Sequence, residues 1–127
     1  MLRVLFVLLL VAGTLFAGYR LPHYLALDFF AILLSMLGGS LLGLALADGR
    51  HSRIAAEIVA VLIWMSCTLF GMWKWDWLIP SGYIGFGIWC LLHSNGMLGA
   101  RIKTWYVSVY TLYAWLVAAY VLLRFFW

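Results

Sequence analysis

Trp89, Cys90 and His93 fall within about one helical turn of a nearly apolar run, Gly82-Tyr-Ile-Gly-Phe-Gly-Ile-Trp-Cys-Leu-Leu-His-Ser94. Cys90 and His93 are three apart, so a helix would present both on one face. Thiolate and imidazole are good ligands for soft metals, but two ligands do not complete a zinc or iron centre. The other histidines are His23 and His51. Chain order puts His51 on the same side of the molecule as His93, with Glu57 nearby, and puts His23 on the far side. A metal or haem site would therefore draw on His51, His93 and Cys90. The plainer expectation is no metal and no cofactor: Trp89 and His93 pack and hydrogen-bond in the seam between the fourth and fifth helices, and Cys90 fills a small space.

Glu57 is the second focus. It stands four residues after Arg53 and follows the polar loop Ala47-Asp-Gly-Arg-His-Ser-Arg53. A Glu and an Arg four apart can pair on one helix face. Glu57 is thus expected as a charged interfacial carboxylate matched by Arg53 or Arg50. The rival is a proton- or cation-handling acid, since an ionisable group within a membrane span is a site candidate by default. Asp28 raises the same question near the opposite face. Tyr106, Tyr110, Tyr113 and Tyr120 are spaced four, three and seven apart, which draws one stripe down a helix. Phenol hydroxyls aimed at acyl chains would lack partners, so the stripe should face other helices. The expected neighbour is the helix bearing Trp89 and His93, with Gly82 and Gly85 receiving rings.

The elements that would position these groups are membrane helices. Of the 127 residues 68% are hydrophobic and 9% charged, against about a quarter charged in a soluble domain. A chain this small has too little interior to hide that surface from water. Uncharged stretches cover 4–19, 29–47, 58–73, 77–100 and 104–123. A spanning helix needs about 17–25 apolar residues. The expected architecture is all-α: one domain, 1–127, of about five transmembrane helices near 2–19, 24–47, 54–73, 77–95 and 104–125. It would be four if the first served as a signal segment. Leu15 stands two before Ala17, a poor match to a small-x-small cleavage site, so the first segment is read as a membrane helix. Gly39 and Gly43 form a G-x-x-x-G pair on the second helix, expected chiefly to admit another helix of the same chain, with dimerisation as the alternative. Trp73-Lys-Trp-Asp-Trp77 has the composition of an interfacial belt.

Net charge is +4, but the basic residues sit at helix ends, where they meet lipid head groups. The partner expected is membrane lipid, together with a second copy or a larger membrane complex, and no nucleic acid. No G-x-S-x-G, H-E-x-x-H, C-x-x-C or phosphate-cradling loop is present in the sequence, which weighs against an enzyme.

Asp48-Gly49-Arg50, Glu57, Gly82, Trp89, His93, Trp105-Tyr106 and Tyr113 follow one another in an order and spacing that resembles a family of small, uncharacterised bacterial multi-pass membrane proteins. That family has a D-G-R loop, a helix-borne Glu, a helix reading G-x-x-x-H-x-x-W-D-x-x-H-H, and a last helix opening with W-Y. The resemblance covers about 80 residues and implies the helical architecture. The family's first His corresponds to Phe86, its Asp to Cys90, the second of its paired His to Ser94, its Cys to Tyr110 and its last Asp to Ala114. It brings no activity.

These readings together describe a structural or accessory subunit of a membrane assembly. The first rival is a small oligomeric transporter or channel with a polar path along Glu57, Asp28 and the tyrosines. A weaker one is a metal- or haem-binding component. The expected site is the bacterial inner membrane. Arg3, Arg50, Arg53, Arg101 and Lys103 lie on one side of a five-span topology, against Arg20, Lys74 and Arg124 on the other. The richer side is expected in the cytoplasm. Reporter fusions at Met1 and Trp127 should therefore report a cytoplasmic amino terminus and a carboxyl terminus across the membrane, and both ends on one side would defeat the five-span topology.

Overall fold

A computed structural model of the chain describes residues 1–47, 51–94 and 104–127, and the side chains of all of these except 51–53, 94 and 104. Five helices follow one another: α1 Leu2–Arg20, α2 His23–Ala47, α3 His51–Trp73, α4 Leu78–Ser94 and α5 Thr104–Phe125. No strand occurs among the described residues. The breaks have local causes. Leu21 precedes Pro22 and is extended, with φ −83° and ψ 147°, because a residue before proline is pushed out of the helical region. Pro80 sits in the first turn of α4, where a missing amide leaves nothing unpaired.

Four of the helices, α1, α2, α3 and α5, are long and apolar enough to cross a membrane. The helix that falls short is α4, with 17 residues, about 25 Å at 1.5 Å per residue. The sequence had singled out α1 as the doubtful span. The reason lies in where α4 sits: it packs most extensively on α5 and also against α3 and α2. Ile79, Tyr83, Phe86 and Cys90 are all buried. Its remaining face, with Ile84, Ile88 and Leu91, is exposed and equally apolar, so the helix shows no marked polar face.

Contacts fix the directions. Gly71 meets Ile79, Gly82 meets Cys67 and Gly85 meets Trp64, so α3 and α4 are antiparallel. Ser35 donates to Thr68 at 3.0 Å and Gly38 faces Trp64, so α2 and α3 are antiparallel too. Trp115 donates to the Ile84 carbonyl at 3.3 Å and Thr111 to that of Gly87 at 3.4 Å, which makes α4 and α5 antiparallel. Helices α1 and α5 run side by side in parallel. Arg3 stands over Trp105 near their starts, 5.0 Å from the ring centroid. Thr14 meets Tyr113 at 2.9 Å midway, and Arg124 reaches the carbonyls of Gly18 and Leu21 at the far end.

Two expectations about small residues need correction. Gly39 and Gly43 have open space where a side chain would project, so they do not admit another helix of this chain. Gly38, one residue away, does that work against Trp64. Gly82 and Gly85 receive Leu34 and Trp64 rather than tyrosine rings. Gly87 receives Trp115 of α5. The indole nitrogen of Trp64, wedged between α2 and α4, is buried without a hydrogen-bond partner.

Gly18 is the sharpest case. A methyl group there would lie 2.5 Å from the ring of Phe30, which is itself fully buried. Gly18→Ala should therefore lower stability in detergent by about 1–3 kcal/mol through overpacking. Gly13→Ala, where nothing lies within 4 Å, should not destabilise. Thermal unfolding of the two variants side by side checks this.

Candidate functional site

The apolar run of α3 begins at Ile54, so Glu57 stands about one turn inside it. The last turn of α4 carries His93 to the same level, because the two helices are antiparallel and α4 is short. Glu57 and His93 are joined directly, Oε1 to Nε2, so His93 bonds across to α3 rather than into the expected seam with α5. The second carboxylate oxygen accepts a hydrogen bond from the indole nitrogen of Trp89 at 3.4 Å. The Trp89 ring meets the His93 ring edge-on, with centroids 5.1 Å apart. Glu57 has no exposed surface and His93 only 5%.

The protonation pattern follows from the partners. His93 Nδ1 lies 2.8 Å from the carbonyl oxygen of Trp89. A carbonyl only accepts, so Nδ1 carries a proton and donates it. The contact between Nε2 and Oε1 then needs one proton between them. It rests either on the carboxyl, facing a neutral imidazole, or on the imidazolium, facing a carboxylate. The pair is neutral overall in both forms, which is the condition for keeping two ionisable groups out of water. Moving the proton from one form to the other needs only a short displacement along an existing hydrogen bond.

The carboxylate expected at the interface is thus enclosed, and its described partners lie on α4. The side chains of Arg50, His51 and Arg53 lie outside the described residues. Cys90 is buried, and no group of three His, Cys, Asp or Glu side chains gathers as a metal site among the described residues. Asp28 is half-buried near the start of α2, on the opposite end of the bundle from Glu57. The structure does not bring these two carboxylates together.

The tyrosine stripe faces helices, but not mainly α4. Thr14 donates its proton to the Leu10 carbonyl at 2.8 Å, so Tyr113 donates to Thr14 of α1 at 2.9 Å. By the same logic Ser40 donates to Leu37, and Tyr110 donates to Ser40 of α2 at 3.0 Å. Tyr110 also meets Phe86 of α4 edge-on, centroids 6.2 Å apart. Tyr106 stacks on Trp105 within α5, and Tyr120 packs against Phe30 of α2. The stripe points to α1 and α2 because the neighbouring face of α5, with Thr111, Ala114 and Ala118, is smaller and lies closer to α4. Tyr83 was missed as a site residue. It is fully buried and donates to the Phe30 carbonyl at 2.6 Å. Its place in an apolar run, without polar neighbours in sequence, carried no signal of that bond.

Searches against protein-family models, curated proteins and solved structures find no match for this chain.

Removing the carboxylate should strand a part-buried group, the Trp89 indole N–H, and a buried one, His93 Nε2. Each costs about 1–3 kcal/mol when left unmatched. Glu57→Ala is therefore expected to destabilise the folded protein by about 2–4 kcal/mol. Glu57→Gln keeps an acceptor for Trp89 and a donor for His93, so it should cost clearly less. Unfolding of the two variants in detergent separates a hydrogen-bonded tie from one that depends on the carboxyl proton, because equal losses would mean that the proton is required.

Proposed function

We propose that this protein is a structural or accessory subunit of a larger assembly in the bacterial inner membrane, with its amino terminus in the cytoplasm. The observation that supports this reading is how the interior polar side chains are engaged. Thr14 with Tyr113, Ser40 with Tyr110, Ser35 with Thr68, Tyr83 with Phe30 and Glu57 with His93 each join two helices of the same chain. Groups committed to holding helices together favour a protein whose task is to keep a shape. Gly39 and Gly43 leave a bare strip on the outer face of α2, where a helix of another chain could approach closely.

A second reading draws on the Glu57–His93 pair itself. A buried acid and imidazole sharing one proton inside a membrane span are suited to proton handling. With five helices in one chain, this transport reading needs several copies to make a path.

Purification in mild detergent from native membranes tests the two. Larger chains co-purifying in fixed ratio would support the accessory role. A closed homo-oligomer that conducts protons in liposomes, and loses that flux in Glu57→Gln while staying folded, would overturn it in favour of transport.

A further inference from the structure

At the end of the bundle where α1 and α5 begin, a crevice of about 260 Å³ opens between the two helices. Its mouth carries Arg3 and Trp105, and Val4, Val7, Val109 and Leu112 line it further in. The guanidinium of Arg3 lies over the Trp105 ring, 5.0 Å from its centroid. No carboxylate pairs with it among the described residues. The other end of the same helix pair is built differently. There Arg124 is consumed by the carbonyls that end α1, which satisfies both the cation and the helix terminus. Arg3 sits at a helix start, where the local dipole is positive and offers it nothing. It is a cation held by an aromatic ring, without a carboxylate partner among the described residues, directly above an apolar trough.

We propose that this crevice binds one anionic diacyl phospholipid, its phosphate on Arg3 and one acyl chain along Val4, Val109 and Leu112. The lengths agree. Trp105 to Leu112 is seven residues, about 10 Å of helix, and a leaflet's hydrocarbon is about 15 Å deep. A chain entering at the Trp105 ring, at head-group depth, runs along the trough for about two-thirds of the leaflet. Charge selects the headgroup: a single Arg near a membrane surface favours an anionic over a zwitterionic lipid by about five-fold. The apolar trough selects for the chain, so the phosphate group alone is an insufficient ligand.

The test is native mass spectrometry of the full chain released from detergent. It compares phosphatidylglycerol with phosphatidylcholine of identical chains. The wild type should retain one phosphatidylglycerol about five-fold more than phosphatidylcholine. Arg3→Gln should make the two equal, and Arg3→Lys should restore the preference. Leu112→Trp, which fills the trough from a lipid-facing position, should reduce retention of both. Equal retention in the wild type, or an unchanged preference in Arg3→Gln, would overturn the proposal. So would displacement of the lipid by glycerol phosphate, which has no chain, or a lipid-free dimer sealed across this crevice.

Discussion

A bilayer gives apolar helices little reason to associate, because acyl chains are as apolar as Leu or Val. Whatever holds this bundle together must come from close packing and from polar groups that have no partner in lipid. The direct bond between Glu57 and His93 is the extreme instance. Neither group can enter hydrocarbon alone in charged form, and together they are neutral. That requirement pins the start of α3 to the end of α4 and sets the register of everything between. The same helices meet again at Trp64 with Gly85 and at Gly71 with Ile79. Once both ends are fixed, the glycines and the large side chains have no freedom to mismatch.

The packing that fills the register is of one kind: a large side chain set into a glycine on the facing helix. Phe30 sits on Gly18, Trp64 on Gly38 and Gly85, Leu34 on Gly82, and Trp115 on Gly87. A glycine lets the neighbouring group come within van der Waals range of the backbone, so each contact gathers dispersion energy that lipid could not replace at the same distance. Helix α4 supplies three of these sockets and is also the shortest helix. Its length and its composition have one cause. Packed against α2, α3 and α5 with one apolar face left open, it does not need to match the bilayer by itself, and it needs small residues to be approached by three neighbours.

This arrangement bears on function through what remains. Interior hydroxyls are engaged in ties between helices, the Trp64 indole nitrogen is buried without a partner, and the proton shared by Glu57 and His93 is the mobile chemical element within the described core. Its neighbour Trp89 donates to the carboxylate and also lines an apolar crevice of about 180 Å³ between α3 and α4. A shift of the proton between the two partners changes how strongly that indole is held, since a carboxylate accepts more strongly than a carboxyl. The two proposed roles, keeping a shape and handling a proton, thus draw on the same three side chains.

The number of helices, their class and nearly all their ends were legible in the sequence. Charges in a membrane protein are confined to helix ends, and Pro22 and Pro80 punctuate where the backbone must turn. The outward display of Trp73, Trp75 and Trp77 was legible for the same reason, their amphipathic rings alternating with Lys74 and Asp76. Which helix packs against three neighbours was not legible, because a face turned to protein and one turned to lipid are equally apolar. Neither was the partner of any side chain. Periodicity places the tyrosines on one stripe of α5, but whether the stripe meets α4 or the pair α1 and α2 depends on which other face of α5 packs more closely. Glu57 and His93 were each visible as polar residues near helix ends, 36 residues apart. Topology put them on the same side of the molecule, but only the antiparallel packing of a short α4 on α3 sets the register that brings the two side chains into direct contact.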